Sequence, residues 1–374
     1  MAIDNKALLE RFLAYVQIDS ETGSEAAMTA RLVEDFKAIG CEVTTDDIME
    51  AAQTTGANVY ATLPGNPDLE PLMFSAHMDT VVPGNGVKPR VDADGYVRTD
   101  GTTVLGGDDK AGVAEIMTLV EILQRGQIPH GFIGVAFTPD EEIGHGPDGF
   151  DVPGFGCDFG YTLDGGRAGE IEFENFNACA AKIIVHGRNV HPGKAKNIMI
   201  NALQVAIELN DLLPAAERPE RTERYEGFFH LTNMEGNVEK VTLSYIVRDH
   251  SAPRFDSRKA TLTEAAAYLN EKYGPGIVEL FIRDQYRNMS EKIRPDNYHL
   301  IENAIAACEQ AGVKPLIQPI RGGTDGATLS FMGLPCPNLG TGGYACHGPF
   351  EHVCVEEMDR CVEVALNLVK AYAK

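Results

Sequence analysis

Residues 74–82 read Phe-Ser-Ala-His-Met-Asp-Thr-Val-Val, a mostly apolar run with a histidine and an aspartate two positions apart. Because side chains alternate along a β-strand, His77 and Asp79 are expected to point to the same side. The almost wholly apolar stretch Leu72–Ala76 predicts a central strand in a sheet that is covered on both faces. The segment therefore places two metal-capable side chains at the end of a buried strand.

Four further clusters of metal-capable residues lie at or near the ends of apolar runs, namely 106–110 (GGDDK), 140–142 (DEE), 163–166 (LDGG) and 346–348 (CHG). Two divalent cations a few ångströms apart need one carboxylate to bridge them and further N or O ligands to complete each shell. Asp108 is the best bridge candidate, since Gly106 and Gly107 permit close backbone approach. Alone, Asp108 would more simply be a helix cap. Together the clusters predict a two-metal hydrolase centre.

The adjacent Glu141 and Glu142 cannot both face the metals from a straight strand, because neighbouring side chains point to opposite sides. In a turn, one can bind metal while the other acts as the general base. The residues themselves leave open which does which. Asp164 repeats the pattern of a carboxylate after an apolar strand, and His347 lies in a glycine-rich loop that predicts a tightly positioned side chain.

Composition limits the classes of partner. The 374 residues include 55 acidic and 32 basic side chains, a formal charge of -23, which disfavours nucleic acid and anionic membranes. The N-terminal residues lack the basic and then apolar order of a secretion signal, and no apolar run is long enough to span a bilayer. Eight scattered cysteines without a Cys-x-x-Cys pair are expected to be reduced and mostly buried. These features predict a cytoplasmic protein.

The chain is long enough to favour two domains. Up to about Gly169, helical and strand patterns alternate as in a three-layer α/β domain with a central, mostly parallel sheet. An α+β segment follows, which includes an expected strand at 171–176 and a long helix at 197–212. The last third returns to the first pattern. We expect a discontinuous catalytic domain of residues 1–177 and 289–374, and an inserted α+β lid domain of residues 178–288.

The five motifs resemble those of the dinuclear zinc peptidases that include aminoacylase, carboxypeptidase G and tripeptidase T. They read His77-x-Asp79, Asp108-Asp109-Lys110-Ala111-Gly112, Asp140-Glu141-Glu142-Ile143-Gly144, Asp164-Gly165-Gly166 and His347-Gly348. The likeness is nearest to the tripeptidase T branch. It extends there to segments 172–177, 189–193, 225–230 and 321–327, and so covers nearly the whole chain.

The resemblance implies a role for each site residue. One zinc ion would be bound by His77, Asp108 and Asp164, and the other by Asp108, Glu142 and His347. Asp79 would fix the tautomer of His77, and Glu141 would deprotonate the attacking water. His191 would stabilise the oxyanion, in some relatives from a partner subunit, while Arg248 and Arg321 would contact the substrate carboxylate. The resemblance also implies a cis peptide bond between Asp108 and Asp109.

Three functions remain open at this point. The first is a zinc aminopeptidase of the tripeptidase T kind that acts on short peptides. The second is a carboxypeptidase or N-acyl amino acid amidohydrolase of the same superfamily. The third is a non-catalytic metal-binding module. The presence of Glu141 argues against this function, because such a module needs no general base. Zinc is the first expectation for the metal, with cobalt or manganese able to occupy the same N/O site. A homodimer through the lid domain is a further expectation.

Overall fold

The computed structural model describes residues 4–46, 55–126 and 128–373. By internal packing the chain divides into two units. The first comprises Met1–Phe173, Met289–Gln318 and Thr324–Lys374, and the second comprises Glu174–Asn288 and Pro319–Gly323. Within the described ranges, no helix has both the length and the apolar character needed to cross a bilayer.

The helices are α1 (Asn5–Val16), α2 (Ala26–Ile39), α3 (Gly107–Arg125), α4 (Val152–Phe155), α5 (Ala202–Leu212), α6 (Ala252–Tyr273), α7 (Ser290–Ile293), α8 (His299–Gln310), α9 (Asp325–Met332) and α10 (Val355–Ala371). The strands are β1 (Glu42–Thr45), β2 (Val59–Leu63), β3 (Leu72–His77), β4 (Arg90–Val91), β5 (Tyr96–Arg98), β6 (Ile133–Thr138), β7 (Gly160–Gly165), β8 (Glu170–Glu172), β9 (Asn177–His186), β10 (Phe228–Gly236), β11 (Lys240–Asp249), β12 (Val278–Tyr286), β13 (Leu316–Ile317), β14 (Asn338–Gly340), β15 (Gly343–Tyr344) and β16 (His352–Cys354).

The first unit is built on an eight-stranded sheet with the order β1-β2-β6-β3-β7-β14-β8-β13. Its centre is parallel, since β3 pairs in parallel with both β6 and β7, and β7 with β14. All six residues of β3 are buried, as expected for a strand covered on both faces. The α/β class and the mostly parallel central sheet are thus confirmed.

Helices cover both faces of this sheet. Phe137 of β6 stacks on Phe36 of α2, with ring centroids 5.5 Å apart. Gly134 alternates with Phe137 and therefore faces the other way. A Cβ at Gly134 would lie 2.6 Å from the ring of Phe155 in α4. The strand is sandwiched between helical layers, which gives the three-layer arrangement that the sequence predicts.

The second unit is an antiparallel sheet with the order β10-β11-β9-β12. Along β11, buried residues alternate with partly exposed ones, so that Val241, Leu243, Tyr245 and Val247 point into one core. Helices α5 and α6 supply the rest of that core, with side chains such as Leu209 and Leu269. This is an α+β unit, in agreement with the predicted class of the inserted segment.

Two predicted boundaries of secondary-structure elements were wrong. The helix expected at 197–212 begins only at Ala202, because the Asn201 side chain caps the nitrogen of Leu203 and Ile200 pairs with Arg188. The strand expected at 171–176 is the short β8. The domain boundaries stay a prediction; by internal packing residues 319–323 group with the second unit, where Arg321 donates hydrogen bonds to carbonyl groups of residues 224 and 226.

A small sheet of the first unit, with the order β15-β16-β5-β4, was not anticipated. Its strands contain only two or three residues each, too few to give a recognisable alternation. The sheet matters for the site, because the loop between β15 and β16 contains His347 and the chain after β5 leads to Asp108.

Candidate metal centre

Three parallel strands bring four of the predicted residues to one edge of the central sheet. His77 ends β3, and Asp164 lies near the end of the adjacent β7. On the other side, His77 is in register with Thr138 of β6, after which the chain turns into Glu141 and Glu142. Ligand sites in parallel sheets lie at the carboxyl ends of strands. The carboxyl ends therefore converge on a single cluster of His and acidic side chains.

Asp108 reaches the cluster from the start of α3. Asp108 and Asp109 have non-helical backbone angles although they lie at the head of that helix. The peptide bond between them is cis, as the resemblance implied. Asp108 Oδ1 lies 2.9 Å from Nε2 of His77, and Oδ2 lies 3.1 Å from Nε2 of His347. The two oxygens of one carboxylate thus face two different histidines.

His347 completes the second half of the cluster from the loop between β15 and β16. Its Nε2 lies 3.1 Å from Oε1 of Glu142. Its φ of 65° is in the left-handed region, as are the φ angles of Ala345 (53°) and Asp140 (55°). Such angles cost non-glycine residues free energy and are typical of functional loops. The loops bearing His347 and Glu142 both have this feature.

The geometry separates the predicted ligands into two triads that share Asp108. In each of the sets His77, Asp108, Asp164 and Asp108, Glu142, His347, the ligand atoms lie within 4.8 Å of one another. One imidazole nitrogen with carboxylate oxygens in each set suits zinc and other first-row divalent ions. The residues present therefore fit a pair of metal ions with Asp108 between them.

Charge in the cluster is dense and largely buried. Burial disfavours the charged form of Asp108, but hydrogen bonds from His347 and His77 outweigh it and lower the pKa of this carboxyl. Burial raises the pKa of Asp164 to about 6, against the opposing effect of His77. The Asp108 and Glu142 carboxylates raise the pKa of His347 to about 10. The carboxylates and the two histidines of the cluster thus interact strongly through their charges.

Glu141 lies beside the triads in a different electrostatic environment. Burial raises the pKa of its carboxyl well above the usual range, opposed by His77 and reinforced by the negative charges of Asp164, Asp325 and Glu142. A carboxylate with a raised pKa accepts a proton more readily. Glu141–Ile143 form a short 3-10 turn, in which neighbouring side chains are about 120° apart and not on opposite sides, so the conflict that a straight strand would impose is removed.

Asp79 organises more of the centre than the sequence suggested. Its Oδ1 lies 3.2 Å from Nδ1 of His77 and accepts the backbone N–H of Glu141 at 3.0 Å. Its Oδ2 accepts the N–H of Glu142 at 3.3 Å and the hydroxyl of Thr22 at 2.8 Å. Asp79 is fully buried. One carboxylate thus holds a predicted ligand, the predicted base and the turn that bears both glutamates.

The other three predicted residues belong to the second unit. His191 is exposed in a 3-10 turn, where its Nδ1 accepts the N–H of Gly193 at 3.1 Å. Arg248 lies on β11 with its guanidinium 5.4 Å from the ring centre of Tyr286, and its buried Nε has no hydrogen-bond partner among the described residues. Arg321 donates to the carbonyl oxygens of residues 224 and 226 and lies over Phe176. Their roles toward substrate stay predictions.

Sequence reasoning missed Thr22 and Thr324 as contacts of the centre. The hydroxyl of Thr324 donates to Oδ2 of Asp164 at 3.3 Å, just as Thr22 donates to Asp79. Both are single hydroxyls in polar loops far from the motifs in sequence, so only the three-dimensional structure reveals them. The one sequence signal for Thr324 is that segment 321–327 belongs to the likeness to the tripeptidase T branch.

Residues 73–371 match Peptidase family M20/M25/M40, and the chain belongs to this family of dinuclear metal peptidases. It is a metallopeptidase that hydrolyses peptide bonds.

Among curated relatives, the chain is 45% identical to Peptidase T of Alkaliphilus oremlandii over 99% of this chain and 100% of the relative. Among solved structures, it is similar to aminopeptidase PepT from Bacillus cereus, with a TM-score of 0.90 and 30% identity over 100% of both chains. It is also similar to a tripeptidase from Staphylococcus aureus, with a TM-score of 0.91 and 26% identity over 100% of both chains.

Proposed function

We propose that the protein is an aminopeptidase that releases the N-terminal residue from tripeptides at a dinuclear zinc centre. The main support for this proposal is the position of Asp108, whose two carboxylate oxygens face two separate triads of histidine and carboxylate ligands. The names Peptidase T, aminopeptidase PepT and tripeptidase among similar proteins support the substrate class. The N/O donor set supports zinc over softer-ligand metals, with cobalt and manganese as the ions to compare.

His77, Asp108 and Asp164 would hold one ion, and Asp108, Glu142 and His347 the other. When bound, such ions polarise the substrate carbonyl and make a water molecule more acidic. Glu141 takes the proton of the attacking water and passes it to the leaving amine, for which its raised pKa is suited. Asp79 keeps the His77 ring and the Glu141 turn in place.

The second unit would provide the substrate contacts. We assign oxyanion stabilisation to His191, which is exposed and therefore accessible to a ligand. Arg248 is the better candidate for the substrate carboxylate, because its Nε lacks a partner among the described residues. The guanidinium of Arg321 is already engaged with carbonyl groups of its own unit, so we assign it the supporting role of holding the 222–226 loop beside Arg248.

Location and assembly are part of the same proposal. All eight cysteines are free and six of them are buried, a pattern expected in a reducing compartment, and we place the protein in the cytoplasm. We also propose a homodimer formed through the second unit. Sedimentation of the purified protein should give twice the mass of one chain, whereas a monomer at all concentrations would contradict the dimer.

The test compares one tripeptide with its N-acetylated and C-amidated forms, with products separated by chromatography. An aminopeptidase should cleave the first bond of the free tripeptide, and N-acetylation should abolish this cleavage. C-amidation should raise KM more than it lowers kcat if an arginine binds the carboxylate. Preferred cleavage of the acetylated form would instead indicate an amidohydrolase, and release of the C-terminal residue a carboxypeptidase. Glu141→Gln protein serves as the control for contaminating peptidases.

A further inference from the structure

A buried glutamate outside the two triads joins the loops that carry the shared ligand and His347. Glu351 is 2% exposed and follows His347 by four residues. Its Oε2 accepts the backbone N–H groups of Leu105 at 2.6 Å and Gly106 at 2.9 Å, and its Oε1 accepts that of Asp108 at 2.9 Å. Three N–H groups that converge on one point form a concavity that favours an anion, and here a side chain of the protein fills it.

The backbone of the Asp108 loop is shaped around this carboxylate. Gly106 has a φ of 73°, which a side chain would disfavour. A Cβ at Gly107 would lie 2.5 Å from Cγ2 of Val353 and 3.2 Å from Oε1 of Glu351. Gly106 thus permits the turn of the backbone, and Gly107 lets the chain pass close to Glu351 and to Val353 of β16. The glycine pair before Asp108 serves this contact as well as the approach to the metals.

Glu351 is itself anchored on the side of His347. Its N–H donates to the carbonyl oxygen of Gly348 at 3.1 Å, and the next residue begins β16, which pairs with β5. The glutamate therefore sits at a fixed point of the loop that carries His347. From there it fixes the backbone nitrogen of Asp108, whose Oδ2 is 3.1 Å from His347.

We propose that Glu351 is a positioning residue of the metal centre, which holds Asp108 so that its two oxygens face the two triads and sets the separation of Asp108 from His347. This inference rests on the metal-ligand assignment of the proposed function. The hydrogen bonds that Glu351 accepts come from backbone N–H groups, so it acts on Asp108 through the backbone of that residue. Partners that orient ligands in this way typically contribute about 10–100-fold to metal affinity or activity.

The variant Glu351→Gln tests the proposal with little change in size. A glutamine has one acceptor oxygen, so it satisfies either the pair Leu105 and Gly106 or Asp108 alone. The first arrangement keeps two bonds and turns the amide N–H₂ against the N–H of Asp108. The substitution should therefore disturb Asp108 in particular, while it preserves most of the loop.

Glu115→Gln is the matched control. Glu115 is also a fully buried glutamate of the first unit, in the middle of α3, and its carboxyl oxygens have no hydrogen-bond partner among the described residues. Its change makes the same replacement of a buried carboxyl by an amide but removes no hydrogen bond to the backbone of the Asp108 loop. A general effect of replacing a buried glutamate would appear in both variants.

The measurement is Co²⁺ affinity of the metal-free full-length proteins by titration calorimetry, together with the visible absorption spectrum of the cobalt-loaded forms. Glu351→Gln should bind Co²⁺ about 10–100-fold more weakly and show a shifted ligand-field band, whereas Glu115→Gln should match the wild type in both. Unchanged affinity and spectrum in Glu351→Gln would overturn the proposal.

Two further variants keep the test decisive. If Glu351→Gln does not fold, Glu351→Asp retains the charge but withdraws it by one methylene, and it too should lose cobalt affinity, with unchanged affinity again overturning the proposal. Asp108→Ala separates this inference from the assignment beneath it. Loss of metal in Asp108→Ala with full retention in Glu351→Gln refutes only the role of Glu351, whereas retention in both refutes the ligand assignment.

Discussion

The variant Asp79→Asn probes the buried carboxylate on which the centre is assembled. Asp79 serves four donors, two at each oxygen. An asparagine keeps one acceptor oxygen. With that oxygen at the Oδ1 position, His77 and Glu141 stay bonded, the hydroxyl of Thr22 can rotate to accept, and only the N–H of Glu142 is left without a partner.

A buried donor that loses its acceptor costs about 1–3 kcal/mol. We therefore expect Asp79→Asn to lower the free energy of unfolding of the metal-free protein by about 1–3 kcal/mol, measured by urea denaturation. Metal affinity should fall by about 10–100-fold, since the Glu142 turn loses a hydrogen bond and a neutral amide orients the His77 ring less strongly than a carboxylate does. Thr22→Val removes a single donor from the same carboxylate and leaves its charge, so it should keep most of the metal affinity. Unchanged stability and metal affinity in Asp79→Asn would refute this account of the network.

The remaining predictions concern the base, the proton balance and the second unit. Glu141→Gln should retain its metals and lose about a hundredfold to ten-thousandfold in kcat, while Glu142→Gln should instead lose metal; the reverse pattern in metal analysis and kinetics would exchange their roles. In chelator-treated protein the raised pKa of His347 stabilises the fold fully below about pH 6.5, and this stabilisation should disappear as the pH rises through about 10. His347→Ala should therefore flatten that part of the plot of unfolding free energy against pH. An unaltered plot would contradict this prediction. His191→Ala should lower kcat with unchanged metal content, and mixing it with Glu141→Gln should restore activity if His191 acts across a dimer; full activity in His191→Ala alone would remove that residue from the mechanism.

The fold could be predicted from sequence wherever periodicity is long and regular. Helix α2 has its predicted ends, because Gly40 takes the left-handed conformation that ends it. The buried strand β3 was likewise predicted from its apolar residues. The helix expected at 197–212 was too long because apolar residues before Ala202 belong to a capped loop. Short strands such as β15 and β16 have no periodic signal at all.

The candidate site shows the same division. The ligand candidates could be found from sequence because each is an acidic or histidine side chain at or near the end of an apolar run or in a glycine-rich loop. The contacts around them could not, because Glu351 and Leu105 are 246 positions apart and no local pattern records their bond. Similarly, Asp79 was expected to orient His77, but its bonds to the Glu141 turn depend on how β3 and β6 align.

The shared carboxylate is the central claim, and metal analysis of protein purified without chelator tests it most directly. Elemental analysis should give close to two divalent ions per chain in the wild type, and Asp108→Ala should lose both together because each triad contains this residue. A firm stoichiometry of one ion per chain, or two ions retained in a folded Asp108→Ala protein, would contradict a dinuclear centre bridged by Asp108.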